Sequence, residues 1–325
     1  GYFSSLPLDL LNTFGKTMPA IRDLLYVRFE IEDLDKQAQF LTDFGFQVTQ
    51  EKDLLFARGY DSAPYIYVAE QAGGSAKFIG MGFEALTQAE LERIAAIDNV
   101  GIEEIDLPSG GLRARMMDPD GNAVDIVYGL SQASELPAPS RSPFNQQNHE
   151  NKDALRLGQR VSFSATSASI KRLGHCVLNV TDFRTSEAWY KKRIGFITSD
   201  EIYIGSEDKT LGAFMRLDRG ETYVDHHTLF LVGAGHSEFN HAAFEVCHWD
   251  YIMQSHDFLA QRGYEQSWGV GKHVLGSQVF DYWRDPAGFT LEHFTDGDLF
   301  NRSFGSHKQP IENLLAVHWG PEGSP

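Results

Sequence analysis

Two stretches of the chain, 26–46 and 175–196, follow one pattern of hydrophobic and polar positions. Each begins with an apolar run typical of a strand, passes through an aspartate into a short helical pattern, and ends in Gly-Phe. A second matched pair, 78–85 and 239–246, predicts a strand followed by a helix. In a third pair, "MMDPDGNAVDIV" and "YWRDPAGFTLEHF", an Asp-Pro-x-Gly turn joins two strands, because proline fixes φ and glycine permits a positive φ.

The three pairs occur in the same order, which predicts an internal duplication built from β-α-β-β-β units. The alternative, a chance similarity among hairpins, does not account for that order. Strands predominate and helices are few and short, so we expect an α+β fold with two tandem domains, 20–132 and 169–300. The stretch between them, 133–168, is rich in Ser, Pro, Asn and Gln and is predicted to be a linker. The tail, 301–325, is a candidate lid over a pocket mouth.

Composition narrows the range of partners. The chain has 325 residues, 42% of them hydrophobic, which is enough for the cores of two domains. Its formal net charge of −17 repels phosphate backbones and argues against nucleic acid as a partner. No apolar run reaches the roughly 18 residues of a membrane span, and the first residues lack the layout of a secretory signal. Cys176 and Cys247 lie in apolar runs, so we expect reduced core thiols of a cytoplasmic protein, with a disulfide as the alternative.

The histidines are confined to the second half: all twelve lie at or after His149. When the halves are aligned, three positions carry metal-binding side chains in the second half and other residues in the first. His175 corresponds to Tyr26, His241 to Gly80 and Glu292 to Asp125. Two histidines and one carboxylate on three strands suit a facial triad, which leaves open positions on a non-haem Fe(II). The second half is therefore the predicted metal-binding half, although three scattered residues alone are a weak signal.

Strand alternation separates these candidates from their neighbours. If Glu292 points into the site, His293 points to the opposite face and is expected to be a surface or second-layer residue. His226 is expected to turn away from His227 for the same reason, as a structural or solvent-facing histidine. His236 lies in a glycine-bounded turn and is expected to be exposed.

The segments "RLGHCVLNV", "FNHAAFEV" and "DPAGFTLEHF" resemble the three metal-ligand strands of the vicinal oxygen chelate superfamily. More narrowly, they resemble two-domain extradiol catechol dioxygenases of the catechol 2,3-dioxygenase and biphenyl-2,3-diol 1,2-dioxygenase type, over 24–300. The resemblance implies paired βαβββ modules in each domain, forming a half-open barrel, and a metal in the C-terminal domain alone. It implies Fe(II) at the three candidate ligands, with Mn(II) as an alternative, O₂ as co-substrate, and a homo-oligomer.

The resemblance also carries over three proton-handling residues, His227 in "DHHT", His273 in "GKHVLG" and Tyr282 in "FDYW". It implies that His227 faces the O₂ side as acid or base, a task for which histidine has a suitable pKa. It implies that Tyr282 and His273 hydrogen-bond to a substrate oxygen. The implied reaction inserts both atoms of O₂ into a catechol and cleaves the ring beside, not between, its two hydroxyls.

Apolar residues surround these positions in the sequence. Val177 and Leu275 each lie two residues beyond a site histidine and share its face on a strand. With Trp268, Val270 and Phe280 they are predicted to line the substrate pocket. We therefore expect an uncharged, hydrophobic catechol with an alkyl, aryl or ring-fused substituent; the alternative is that these are ordinary core positions.

Two other functions stay open at this point. A glyoxalase-like isomerase or epimerase of the same superfamily usually takes four metal ligands and does not require the His-His-Tyr set. A ligand-sequestering protein needs an apolar cleft and no metal triad. Oxygen uptake with a yellow ring-fission product distinguishes the dioxygenase from both.

Overall fold

The computed structural model describes residues 21–139, 158, 160 and 167–325, so most of the predicted linker lies outside the described residues. The N-terminal half contains β1 (Ile21–Ile31), α1 (Leu34–Phe44), β2 (Gln47–Glu51), β3 (Leu54–Arg58), β4 (Tyr67–Gln71), β5 (Lys77–Ala85), α2 (Gln88–Asp98), β6 (Ile102–Glu104), β7 (Leu112–Met117) and β8 (Ala123–Tyr128). Among the described residues, no helix is both long and apolar enough to cross a membrane.

The C-terminal half repeats this series and then extends it. The repeated part contains β9 (Ile170–Val180), α3 (Phe183–Ile194), β10 (Phe196–Tyr203), β11 (Thr210–Leu217), β12 (Val224–Asp225), β13 (Leu229–Gly233), β14 (Glu238–Val246), α4 (Trp249–Gln261), β15 (Glu265–His273), β16 (Val279–Arg284) and β17 (Thr290–Thr295). The extension contains β18 (Leu299–Phe300), a 3₁₀ turn (Arg302–Phe304), β19 (His307–Pro310), α5 (Ile311–Leu315) and β20 (Val317–Trp319).

The two main sheets have the same strand order. The first is β2-β3-β4-β1-β5-β8-β7-β6, and the second is β10-β11-β13-β9-β14-β17-β16-β15 with β19 and β20 added at its edges. Each sheet therefore consists of two βαβββ units, joined through the antiparallel pairs β1–β5 and β9–β14. The predicted α+β fold with duplicated halves is confirmed, and so are the paired βαβββ units that the resemblance implies for each half.

Local signals explain where the first helix of each half begins and ends. The carboxylates of Asp33 and Asp182 accept hydrogen bonds from backbone N–H groups in the first turns of α1 and α3. Both helices end at glycines in the left-handed region, Gly45 with φ 117° and Gly195 with φ 80°. The repeated pattern from Asp to Gly-Phe therefore marks a helix with an aspartate N-cap and a glycine C-cap.

Two equivalent buried hydrogen bonds connect the halves. Asp118, in the Asp-Pro-x-Gly turn of the first half, accepts a 2.8 Å hydrogen bond from the Tyr190 hydroxyl on α3. Asp285, in the matching turn of the second half, accepts a 2.8 Å hydrogen bond from Gln37 Nε2 on α1. All four side chains are buried, so each turn is held by the first helix of the other half.

Strand registers relate the two halves residue by residue. Tyr26 pairs with Gly82, which in turn pairs with Asp125, and His175 pairs with Ala243, which in turn pairs with Glu292. The matched positions inferred from the sequence for these strands therefore correspond in space.

The first half has an ion pair where the second has its candidate ligands. The Tyr26 hydroxyl donates to Asp125 Oδ2 at 2.6 Å, and Arg115 forms a two-pronged pair with the same carboxylate at 2.6 and 2.9 Å. At Gly80 an added Cβ would collide with the backbone of Ala123, so a histidine cannot replace it without moving β8. A guanidinium balances the buried charge of Asp125 here.

Replacing Asp125 with leucine is expected to lower the free energy of unfolding by about 3 kcal/mol, because it leaves the arginine cluster around that carboxylate without its buried counter-charge. Urea denaturation measures the effect. Glu103→Gln is the matched control, because Glu103 pairs with Arg113 at the surface, is 59% exposed, and should cost under about 1 kcal/mol. Equal, small losses in both variants would contradict a structural role for the Asp125 network.

Candidate metal centre and its cavity

Three neighbouring strands bring the candidate ligands together. His175 lies on β9, His241 on β14 and Glu292 on β17, and these strands are adjacent in the order β9-β14-β17. Their possible ligand atoms all lie within 4.8 Å of one another. The Nε2 atoms of His175 and His241 are 3.2 and 3.3 Å from Glu292 Oε2, and all three side chains are buried. The arrangement can hold one metal ion.

The donor set fits a divalent cation. Glu292 Oε1 is buried without a hydrogen-bond partner among the described residues, which is costly unless a cation or donor meets it. His241 Nδ1 lies 2.7 Å from Asn240 Oδ1. Since an amide oxygen only accepts, Nδ1 carries the proton and the Nε2 lone pair is left for a metal. Burial raises the pKa of Glu292, but the neighbouring side chains of His175 and His241 hold it below its usual range, as an anion.

The predicted proton-handling residues surround this triad. The ring of His227 lies 4.1 Å from that of His175, measured between centroids, and the ring of Tyr282 lies 5.0 Å from that of His241. His273 Nε2 is 2.9 Å from the Tyr282 hydroxyl. All the sequence-predicted ligands and proton-handling residues are therefore within one site.

Burial sets the protonation states of these groups. It lowers the pKa of His273 to about 4, and, with the neighbouring histidines, lowers the pKa of His227 well below its ordinary value. Burial and the nearby Glu292 carboxylate raise the pKa of Tyr282. At neutral pH, His227 and His273 are uncharged and Tyr282 keeps its hydroxyl proton.

Of the two alternatives for His226, a structural or a solvent-facing residue, the first is correct, but the residue is not turned away from His227. It is 1% exposed, its Nδ1 is 2.9 Å from His227 Nδ1, and its Nε2 is 2.6 Å from Asp200 Oδ2. Alternation fails because 226–228 lie between β12 and β13, outside regular strand. Asp200 was not identified from the sequence. Its only indication was an acidic residue in β10, a strand in which polar and apolar residues are intermixed.

The other two histidines fall where the pattern placed them. His236 is exposed in its turn, with its Nε2 3.3 Å from Glu238. His293 is a buried second-layer residue on the outer face of β17. Its Nε2 donates to the Phe44 carbonyl at 2.7 Å, and its ring stacks on the Phe44 ring at 3.7 Å, so it links the metal strand to the first half.

A cavity of about 200 Å³ opens beside the triad. Its apolar wall includes Val177, Phe214, Phe230, Trp268, Leu275 and Leu314. Among the described residues that line it, there is no lysine or arginine. The described side chains that line the cavity therefore offer no lysine or arginine cation to a charged substrate.

The predicted pocket residues divide into two groups. Val177, Trp268 and Leu275 line the cavity, whereas Val270 and Phe280 are not among its described lining residues. Phe280 lies behind the wall, with its ring 4.2 Å from Trp268 and 4.1 Å from His273. The sequence reading missed the stacked pair Phe214 and Phe230, 3.9 Å apart, because neither follows a site histidine at strand spacing.

The tail contributes to the cavity and to the sheet. Leu314 and Leu315 of α5 and residues 323–325 line the cavity, and Trp268 Nε1 donates to the Pro321 carbonyl at 3.0 Å. β19 and β20 pair with β10 and β15 at opposite edges of the second sheet. The tail thus forms part of the cavity wall.

The fold and site define a class of protein. Residues 172–293 match the family model described as the Glyoxalase/Bleomycin resistance protein/Dioxygenase superfamily, and this range contains all the candidate metal ligands and proton-handling residues. The match over residues 172–293 agrees with the superfamily resemblance inferred from the sequence.

Relatives align along most of the chain. It is 26% identical over 308 residues to metapyrocatechase 2 of Cupriavidus necator, covering 93% of this chain and 90% of that protein. It is 24% identical over 287 residues to 3-methylcatechol 2,3-dioxygenase of Pseudomonas putida, covering 84% of this chain and 89% of that protein. A solved structure, the Mn(II)-bound glyoxalase of Novosphingobium aromaticivorans, superposes with a TM-score of 0.75 at 16% identity, over 94% of this chain and 93% of that one. At that identity the likeness concerns the fold alone.

Proposed function

We propose that this protein is an extradiol dioxygenase, which inserts both atoms of O₂ into a catechol at one Fe(II) ion held by His175, His241 and Glu292. The observation that carries the proposal is the placement of a second set, His227, His273 and Tyr282, around the triad in one cavity. Two relatives that align along most of the chain carry the names metapyrocatechase 2 and 3-methylcatechol 2,3-dioxygenase. When bound, the metal supplies Lewis acidity toward the catechol oxygens and open positions for O₂.

The chain's own residues handle protons and exclude water. His227 is neutral and lies against a candidate ligand, so it can accept a proton from a catechol hydroxyl and return it later. The Tyr282 hydroxyl, paired with His273 Nε2, is placed to hydrogen-bond to a substrate oxygen. The apolar wall keeps bulk water from these groups and strengthens their hydrogen bonds.

Metal analysis combined with a catechol panel tests the proposal. Anaerobically purified protein should contain iron, consume O₂ with a catechol and form a yellow ring-fission product. Manganese in place of iron would revise the metal, which the ligand types alone do not select. Turnover of methylglyoxal hemithioacetal without O₂ uptake would replace the proposal with an isomerase, and absence of metal and turnover would favour a ligand-sequestering protein.

The proposed substrate is an uncharged catechol with an alkyl, aryl or ring-fused substituent. Each buried CH₂ of the substituent should contribute about 0.8 kcal/mol, whereas a carboxylate in the same cavity loses hydration without gaining a cation. We expect kcat/KM for an aryl catechol to exceed that for a carboxylated catechol by at least about 100-fold, equivalent to roughly 2.7 kcal/mol. Unsubstituted catechol is the control for the ring itself, and equal rates for the charged and uncharged substrates would refute this substrate class.

A cytoplasmic location and a homo-oligomeric state belong to the same proposal. Cys176 and Cys247 carry thiols, and burial raises the pKa of the Cys176 thiol, which suits an inert core cysteine. Light scattering on the purified protein determines the oligomeric state directly.

A further inference from the structure

A chain of hydrogen-bonded groups runs away from the cavity behind His227. His227 Nδ1 is 2.9 Å from His226 Nδ1, and His226 Nε2 is 2.6 Å from Asp200 Oδ2. The three side chains are between 1% and 5% exposed, and none of them belongs to the candidate ligand triad. The buried contacts have to be satisfied by one consistent set of protons.

We propose that Asp200 and His226 are positioning residues that hold His227 in the tautomer protonated at Nδ1, with the Nε2 lone pair available to the cavity. A carboxylate only accepts hydrogen bonds, so His226 Nε2 donates to Asp200. The Nδ1 of neutral His226 then has a lone pair and accepts from His227 Nδ1. His227 lines the cavity, where its other nitrogen, Nε2, is left as an acceptor.

The positioning pair is itself held on several sides. The Ser199 hydroxyl donates to the His226 carbonyl at 2.6 Å, which fixes the backbone that carries both histidines. The ring of Phe214 lies 5.1 Å from that of His226 and 4.7 Å from that of His227, so it restricts rotation of both. The two rings lie edge to face, with their centroids 5.2 Å apart.

The tail strand β19 lies beside Asp200, at the end of the hydrogen-bonded series that is farthest from the cavity. β19 pairs with β10 so that His307 stands beside Asp200, and Gln309 Nε2 lies 3.4 Å from Asp200 Oδ1. Asp200 is thereby kept in a buried place where it orients His226. Asp200 accepts a hydrogen bond from His226 and thereby sets which nitrogen of His226, and then which nitrogen of His227, carries the proton.

The consequence for catalysis rests on the proposed function. A His227 that meets the substrate with a lone pair at Nε2 can accept the proton of a catechol hydroxyl, and the opposite tautomer cannot. The role of His226 and Asp200 is therefore to select which of two neutral forms is present before the substrate arrives.

Nitrogen NMR of metal-free protein labelled at histidine tests the tautomer without any activity measurement. At a pH above 7, His227 should show the pattern of an Nδ1–H imidazole. His226→Phe keeps a ring but removes the acceptor, and should shift His227 toward the Nε2–H form. His226→Gln offers a carbonyl acceptor and should restore the native pattern. His236→Gln, a change at an exposed histidine of the same segment, is the control and aids assignment.

With metal-loaded enzyme, His226→Phe should lower kcat by about 100-fold with little change in KM, and His226→Gln should recover most of the loss. A His227 protonated at Nε2 in the unsubstituted protein, or one whose tautomer ignores His226→Phe, overturns the proposal. If His226→Phe does not fold, the tautomer in the unsubstituted protein still decides. Absence of catechol cleavage with an Nδ1–H His227 would remove the proposed function and leave the positioning pair in place.

Discussion

Replacement of Glu292 with alanine is expected to release the metal and abolish ring cleavage. Glu292 is the one carboxylate of the triad, so the variant would offer the cation two neutral imidazoles and no compensating charge. The loss of affinity should exceed the roughly 10- to 100-fold that changes behind a metal ligand cost. Metal content after dialysis and O₂ uptake with a catechol measure the two effects separately.

Glu238→Gln is the matched control for this experiment. Glu238 lies on β14, the strand of His241, but is 61% exposed and contacts His236 and Asn179. It should keep full metal occupancy and activity. Glu292→Ala with undiminished metal and turnover would show that the ion, if present, is bound elsewhere.

Replacement of His227 with glutamine is expected to lower kcat by between about 10² and 10⁴-fold, the range over which a positioned acid or base contributes. Its side chain lies against His175 but is not one of the candidate ligands, so metal content should not change. The amide preserves hydrogen bonding to His226 while removing a group that exchanges protons. Steady-state kinetics and metal analysis of the same preparation are the measurements.

The two variants together distinguish metal binding from proton transfer. Glu292→Ala should lose metal and activity, whereas His227→Gln should lose activity alone. Should His227→Gln also lose its metal, His227 would have to be counted among the ligands, and the acid–base assignment would fail.

The sequence predicted the duplicated α+β fold because its signals are local. The caps at Asp33 and Gly45, and at Asp182 and Gly195, specify helices without any information from distant residues. The second unit of each half was harder to see, since β6 has three residues, all exposed, and shows no buried face. The tail strands β19 and β20 exist through pairing with distant strands, which a local pattern does not record.

The candidate site was likewise predictable only in part. His175, His241 and Glu292 were found because metal chemistry requires particular side chains, and the β14–β17 pairing keeps one register through His241 and Glu292. The register shifts of the β9–β14 pairing beside His175 and His241 did not hide these residue types. Strand parity was a poor guide in β15, whose register shifts on both sides of Gly269, close to Trp268 and Val270. It also failed at His226, where the chain leaves the strand.

The contact between His293 and the Phe44 carbonyl has a consequence for how the second half depends on the first. The first half contains none of the predicted site residues. Its helix α1 nevertheless contacts β17, the strand that carries Glu292, on the face opposite the site. Its interior has the hydrogen-bonded group of Tyr26, Asp125 and Arg115 where the second half has its candidate ligands, whereas its surface at Phe44 contacts the second half. The strand that carries Glu292 therefore depends for its support on a half that contains none of the candidate ligands.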